Sequence, residues 1–103
     1  MSSMETIHAG FFEVDEWQAQ YLTEGAHRLG IADRVVVDFV PHPLTPDGCE
    51  ACEQYDAIAV FIGTKVTRAT LAALPRVRLV LTMSTGYDHI DIDACRERGV
   101  VVC

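Results

Sequence analysis

Positive charge is scarce in this chain. Eight Lys and Arg stand against fifteen Asp and Glu, a formal net charge of −7 over 103 residues. A surface for nucleic acid or for an anionic membrane needs clustered cations, so neither partner is expected. No apolar run approaches the roughly 20 residues needed to span a bilayer. The opening MSSMETIHAG has neither the basic nor the apolar region of a signal peptide. A soluble, cytoplasmic protein is the expectation. Phosphate-binding glycine signatures are missing as well: with no P-loop and no G-x-G-x-x-G, the chain carries no nucleotide fingerprint of its own. Internal repeats and low-complexity tracts are also lacking.

Cysteine is present four times, at Cys49, Cys52, Cys95 and Cys103. Without a signal peptide, and with 50% of the residues hydrophobic, these read as reduced thiols rather than a disulfide framework. Cys49-Glu50-Ala51-Cys52 has the spacing of a thioredoxin-like redox pair or of half a zinc site. A zinc site needs two further ligands, and beyond His42 no candidate lies near. A redox pair would follow the first main strand, not a proline-rich loop. The pair therefore reads as structural, and no metal is expected.

The hydrophobic half of the chain is enough for one domain with its own core. Apolar runs alternate with amphipathic stretches. Ile7 to Phe12 reads as a strand and Asp15 to Leu29 as a helix, with Trp17, Tyr21, Ala26 and Leu29 near one face and Gly30 as its stop. RVVVDFV (34–40) is a second strand, ended by the proline-rich PHPLTPDG. A short helix through Cys49–Gln54 leads to DAIAVFI (56–62), a strand apolar on both faces. Thr67 can cap a helix reaching about Leu74. RLVLTM (78–83) is a fourth strand, Asp91–Arg98 a helix, and VVVC (100–103) the start of a fifth strand. Strict alternation of strand and helix predicts an α/β fold: a parallel sheet with helices on both faces, because each parallel connection needs a crossover.

Ligands of open parallel sheets bind at loops beyond the carboxyl ends of the strands. Three such loops stand out: Glu13–Glu16, Gly63–Val66 and Ser84–Ile90. The third is the richest. Gly86 lacks a side chain, so backbone N–H groups around it can approach a ligand. Asp91 and Asp93 open the next helix while Arg96 and Arg98 close it, as the helix dipole favours. Gly99 then ends it. A loop of exposed amides suits a small anion such as a carboxylate. That Gly86 only makes the turn is an equal reading on spacing alone. His8, His27 and His42 read as structural or solvated, and His89 lies in the best loop without an evident carboxylate partner. A phosphoacceptor receiver domain would need an Asp at the end of the third strand, where Phe61-Ile62-Gly63-Thr64 stands. A flavodoxin would need a phosphate loop after the first strand, where Glu13-Val14-Asp15-Glu16 stands.

LPRVRLVLTMSTGYDHIDIDACRERGVVVC (74–103) resembles the NAD-dependent D-2-hydroxyacid dehydrogenases, the family of D-lactate, D-glycerate and D-3-phosphoglycerate dehydrogenases. Val77, Leu79, Gly86, Asp88, Ile90, Asp91, Gly99 and Val102 fall into register with that family's pattern. FFEVDEW and YDAIAVFIGTKVT (55–67) extend the likeness more loosely along the chain. Thr85 stands where Val or Ala is usual, which leaves a backbone role intact, and Arg78 replaces a lysine.

The resemblance implies a flavodoxin-like sheet of order 2-1-3-4-5, with residues 1–103 as the N-terminal part of a substrate domain. It places the NAD-binding Rossmann domain, the catalytic histidine, its acidic partner and the substrate-binding arginine outside this chain. It also implies an oxidoreductase that interconverts a 2-keto acid and a D-2-hydroxy acid with NAD, as a homodimer at full length. The backbone amides of Thr85 and Gly86 would hold the substrate carboxylate, with Gly63 and Thr64 on the facing loop. No catalytic or cofactor-binding residue is expected here, and the chain alone should be inactive, bind no NAD and self-associate through uncovered apolar faces. The competing reading is a non-enzymatic small-molecule or protein-binding module derived from the same fold.

Overall fold

The computed structural model describes residues 6–30, 33–45, 52–83, 86 and 88–103. Five strands alternate with helices: β1 (Ile7–Phe12), α1 (Glu16–Leu29), β2 (Val35–Val40), a 3-10 turn (Cys52–Gln54), β3 (Ala57–Val60), α2 (Arg68–Ala72), β4 (Leu79–Thr82), α3 (Ile92–Glu97) and β5 (Val101–Val102). They form one parallel sheet in the order β2-β1-β3-β4-β5. Both the α/β class and the expected order are found. Within the expected short helix of residues 49–54, the described part, 52–54, is 3-10; positions 49–51 lie outside the described residues.

The chain steps one way from β1 to β2, then reverses to β3, β4 and β5. Right-handed crossovers therefore put α1 on one face and α2 with α3 on the other. Successive side chains of a strand point to opposite faces. The register sets Asp38, Gly10, Ile58, Val80 and Val102 in one row, and Phe39, Phe11, Ala59 and Leu81 on the reverse. Ile58, Val60 and Val80 are fully buried and join Leu71, Leu74, Val77, Ala94, Cys95 and Val100 in the core. The core thus lies between the sheet and the α2–α3 layer.

On the other face Ala9, Ala57 and Ala59 are buried, but the helix above them is not. No residue of α1 is buried, and Trp17, Tyr21 and Leu29 are 66%, 71% and 75% exposed. Sequence spacing gave these residues one shared face, but that face does not pack into a core. Between α1 and Phe11, Val35, Val37 and Phe39 runs a groove of about 560 Å³. The helix itself is well specified. Gln18 accepts the Asp15 backbone N–H at 2.8 Å, and Gly30 stops it with φ 75°, a left-handed conformation that glycine adopts without a Cβ penalty.

Thr67 caps α2 by accepting from the Thr70 N–H, as its position suggested. Gly99 ends α3 at φ 73°, with Val100 N–H donating to the Cys95 carbonyl at 2.8 Å. Cys95 and Cys103 are free thiols, and burial pushes the Cys95 thiol up. Cys52 corrects the expectation of four reduced cysteines: it is disulfide-bonded. That expectation came from the compartment rule, which infers redox state from the absence of a signal peptide and not from the fold.

Near the start of the sheet, Tyr55 packs against Gly10, where a Cβ would sit 2.7 Å from its ring. The Tyr55 hydroxyl donates to Asp38 Oδ2 at 3.0 Å, and His8 Nε2 lies 3.1 Å from the same oxygen. Burial first, then the hydrogen bond and charge of Asp38, push the Tyr55 phenol up to about 12 from 10.0. A phenol is neutral when protonated. The raised value therefore favours the folded chain fully below pH 10 and is lost as the pH rises through 12.

Two outcomes follow from this packing. In an alkaline tyrosinate absorbance titration, one tyrosine should ionise near 12, and Tyr55→Phe should remove that late step. Gly10→Ala should lower stability by about 1–3 kcal/mol in urea unfolding, the usual cost of overpacking a filled core.

Candidate functional site

The carboxyl ends of β1, β3 and β4 lie side by side, because β3 pairs with both of the others. Between β1 and β3 the strand order reverses, the position where open α/β sheets form a crevice. Three loops meet at this edge: residues 13–15 after β1, 61–65 after β3 and 83–90 after β4.

The β3 and β4 loops are stitched together. Val66 N–H donates to the His89 carbonyl and Asp91 N–H to the Val66 carbonyl, each at 2.8 Å, which makes a parallel bridge between Val66 and Ile90. Met83 N–H reaches the Val60 carbonyl at 2.8 Å. His89 is 8% exposed, and its Nε2 lies 3.3 Å from Thr82 Oγ1 at the end of β4. The sequence offered no evident carboxylate partner for His89; what its ring meets is the hydroxyl of Thr82, seven residues earlier. Asp91 closes the loop by capping α3, its Oδ1 accepting the Ala94 N–H at 2.9 Å.

Gly86 is exposed, and a Cβ built on it would meet nothing within 4 Å. Packing among the described residues does not require a glycine there. Thr85, the other expected carboxylate holder, lies outside the described residues, as do Ser84 and Tyr87.

Across the edge, the β3 loop is already occupied by a side chain of this chain. Glu13 Oε2 accepts from Phe61 N–H at 3.0 Å and from Thr64 Oγ1 at 2.9 Å, and its Oε1 accepts from Gly63 N–H at 2.9 Å. Thr64 is fully buried, and its hydroxyl also accepts the Leu44 N–H at 3.0 Å. Of the two expected substrate-facing residues, Gly63 is exposed while Thr64 is enclosed, and both are engaged by Glu13. Glu13 itself has φ 64° and is the one non-glycine residue with positive φ among those described. The left-handed conformation costs an ordinary residue roughly 1–2 kcal/mol. Glu13 stood in one of the three loops singled out by sequence, but its role was hidden, because its partners lie 48 to 51 residues away.

Among the described residues, no three His, Cys, Asp or Glu side chains converge as ligands for a metal ion. No helix among them is long and apolar enough to cross a membrane.

A parallel sheet of this order, with an amide-rich edge, defines the class of small α/β domains that bind ligands beyond their strand ends. Comparison with known proteins narrows it. The family described as D-isomer specific 2-hydroxyacid dehydrogenase, catalytic domain, matches residues 11–103, and the chain belongs to that family. D-3-phosphoglycerate dehydrogenase of Mycobacterium leprae is 35% identical over 72 residues, covering 70% of this chain and 14% of its own. D-lactate dehydrogenase of Salmonella superposes with a TM-score of 0.80 at 19% identity, over 93% of this chain and 29% of that one. D-lactate dehydrogenase of Aquifex aeolicus, solved with NAD and lactic acid, gives a TM-score of 0.75 at 25% identity, over 91% of this chain and 26% of that one. The chain thus spans well under a third of the length of each.

The loop after β4 leans on its cap. Asp91→Ala should cost about 1 kcal/mol in urea unfolding, and Asp91→Asn much less, since Asn caps about as well.

Proposed function

We propose that the protein carrying this chain is an oxidoreductase interconverting a 2-keto acid and a D-2-hydroxy acid with NAD(H). In this reading residues 1–103 form the N-terminal part of its substrate domain. The family supports the reaction class, and the relative solved with NAD and lactic acid supports the cofactor. The observation that carries the site is Gly86: an exposed glycine in the loop after β4, with nothing within 4 Å of where a Cβ would stand. That open space lets a ligand approach its backbone closely. The amides of Thr85 and Gly86 hold the substrate carboxylate, and Gly63 and Thr64 belong to the facing wall.

Each such amide bond contributes only about 0.5–1.5 kcal/mol net against water. Two or three of them hold a small keto acid no tighter than the millimolar level, which corresponds to roughly 4 kcal/mol. Their role is orientation: a fixed carboxylate leaves the adjacent keto carbon at a defined place beyond the edge.

The residues of this chain do not fit the cofactor. A dinucleotide pyrophosphate wants a glycine-rich turn opening onto a helix N-terminus. Here α1 starts with Asp15 and Glu16, and the Glu13 carboxylate fills the adjacent edge. No hydride or proton transfer step is therefore assigned to these residues.

The test is an amide-resolved NMR titration of this chain with pyruvate, glyoxylate and hydroxypyruvate, beside a calorimetric titration with NADH. The Gly86 N–H should shift and saturate at millimolar concentration or above, without turnover and without micromolar NADH binding. A Gly86 amide blind to every keto acid removes the site assignment, and micromolar NADH binding removes the cofactor argument.

A further inference from the structure

Glu13 combines three features at the strand-order reversal. Its backbone is held at φ 64°, a conformation that disfavours any side chain. Its carboxylate collects Phe61 N–H, Gly63 N–H and the Thr64 hydroxyl. A Cβ on Gly63 would fall on its Oε1, so the carboxylate has room only because residue 63 is glycine. Backbone strain persists where surrounding structure over-determines it, and such positions cluster at functional sites.

We propose that Glu13 is a positioning residue: an internal carboxylate that holds the 61–64 loop in shape as one wall of the carboxylate site around Gly86. The site it serves is the one assigned above, so this inference rests on that reading. Three donors converging on one carboxylate fix the loop more firmly than its own turn does, since Thr64 N–H to the Phe61 carbonyl is a long 3.3 Å. Thr64 passes the restraint onward, because its hydroxyl also receives the Leu44 N–H from the segment after β2. The same loop then runs into Val66, which is bridged to Ile90 in the β4 loop. Glu13 is thus linked to the β4 loop at His89–Asp91 by hydrogen bonds at each end and by the backbone of residues 64–66 between them. It also explains Gly63 and Thr64 by a partner within the chain: one must lack a Cβ, and the other must carry a hydroxyl.

An ordinary turn residue at this position would behave in the opposite way. Replacing it by glycine would relieve the left-handed strain and stabilise the chain. The experiment uses two variants, Glu13→Gln, which keeps the shape but loses the paired acceptor oxygens, and Glu13→Gly, which removes the strain together with the carboxylate. Amide hydrogen exchange read by NMR should speed up at least roughly tenfold at Phe61 and Gly63 in both. Ile58 and Val80, in the sheet interior, should be unaffected. Pyruvate should saturate the Gly86 amide at several-fold higher concentration in Glu13→Gln than in the unmodified chain.

Unchanged exchange at Phe61 and Gly63 overturns the proposal. So does acceleration spread equally over the sheet, which marks lost stability and not a loosened loop. Better-protected loop amides in Glu13→Gly overturn it too, as does an unchanged pyruvate midpoint in Glu13→Gln. If Gly86 does not respond to pyruvate in the unmodified chain, the functional reading fails, while the exchange rates still decide whether Glu13 holds the loop.

Discussion

Everything at the functional edge depends on β3 pairing with β1 on one side and β4 on the other. Parallel pairing with a reversal after β2 brings three strand ends into one row, so loops more than 45 residues apart in sequence become neighbours. The pairing is strongly specified. All four residues of β3 are buried, and a slip of one position would exchange Ile58 and Val60 for Ala57 and Ala59 on the core face. The cost of that exchange in lost apolar contact keeps the register, and the register keeps Glu13 opposite Phe61, Gly63 and Thr64.

Burial is unevenly divided between the two faces. Large aliphatic residues of the sheet meet α2 and α3, whereas the buried strand residues of the α1 side are the small Ala9, Ala57 and Ala59, and no residue of α1 itself is buried. Small residues give α1 little to pack against close to the middle of the sheet. The apolar residues farther out, Phe11 and Phe39, touch each other at 5.8 Å between ring centroids and line the open groove. Stability is therefore concentrated in the half of the chain that carries the site loops. The stitched Val66–Ile90 bridge and the Asp91 cap belong to that firmer half.

The strands were legible because their signals are local. Runs such as VVVDFV and DAIAVFI declare themselves through β-branched and continuous apolar content, and Gly30, Gly99 and Thr67 mark helix ends through backbone and capping chemistry that acts within a few residues. The strand order was not local, and it came from the resemblance of the 74–103 stretch to a family. Periodicity gave α1 as a helix, while the face shared by Trp17, Tyr21 and Leu29 meets no core. At the site, Gly86 was visible as an unexplained glycine in a polar loop. Glu13 was not, because nothing in FFEVDEW tells that its carboxylate will meet donors in the loop after β3, two crossovers later.

An internal carboxylate in a chain with net charge −7 raises the question of how one more negative charge is accommodated. The donors resolve it. Two backbone amides and a hydroxyl neutralise the Glu13 charge locally through charge-assisted bonds, which are about twice as strong as neutral ones. Their dipoles point at Glu13, so the Phe61 and Gly63 amides and the Thr64 hydroxyl are engaged within the chain and are not free to hold a second anion. An acid at this position therefore serves the fold of the edge, by tying the end of β1 to the loop after β3.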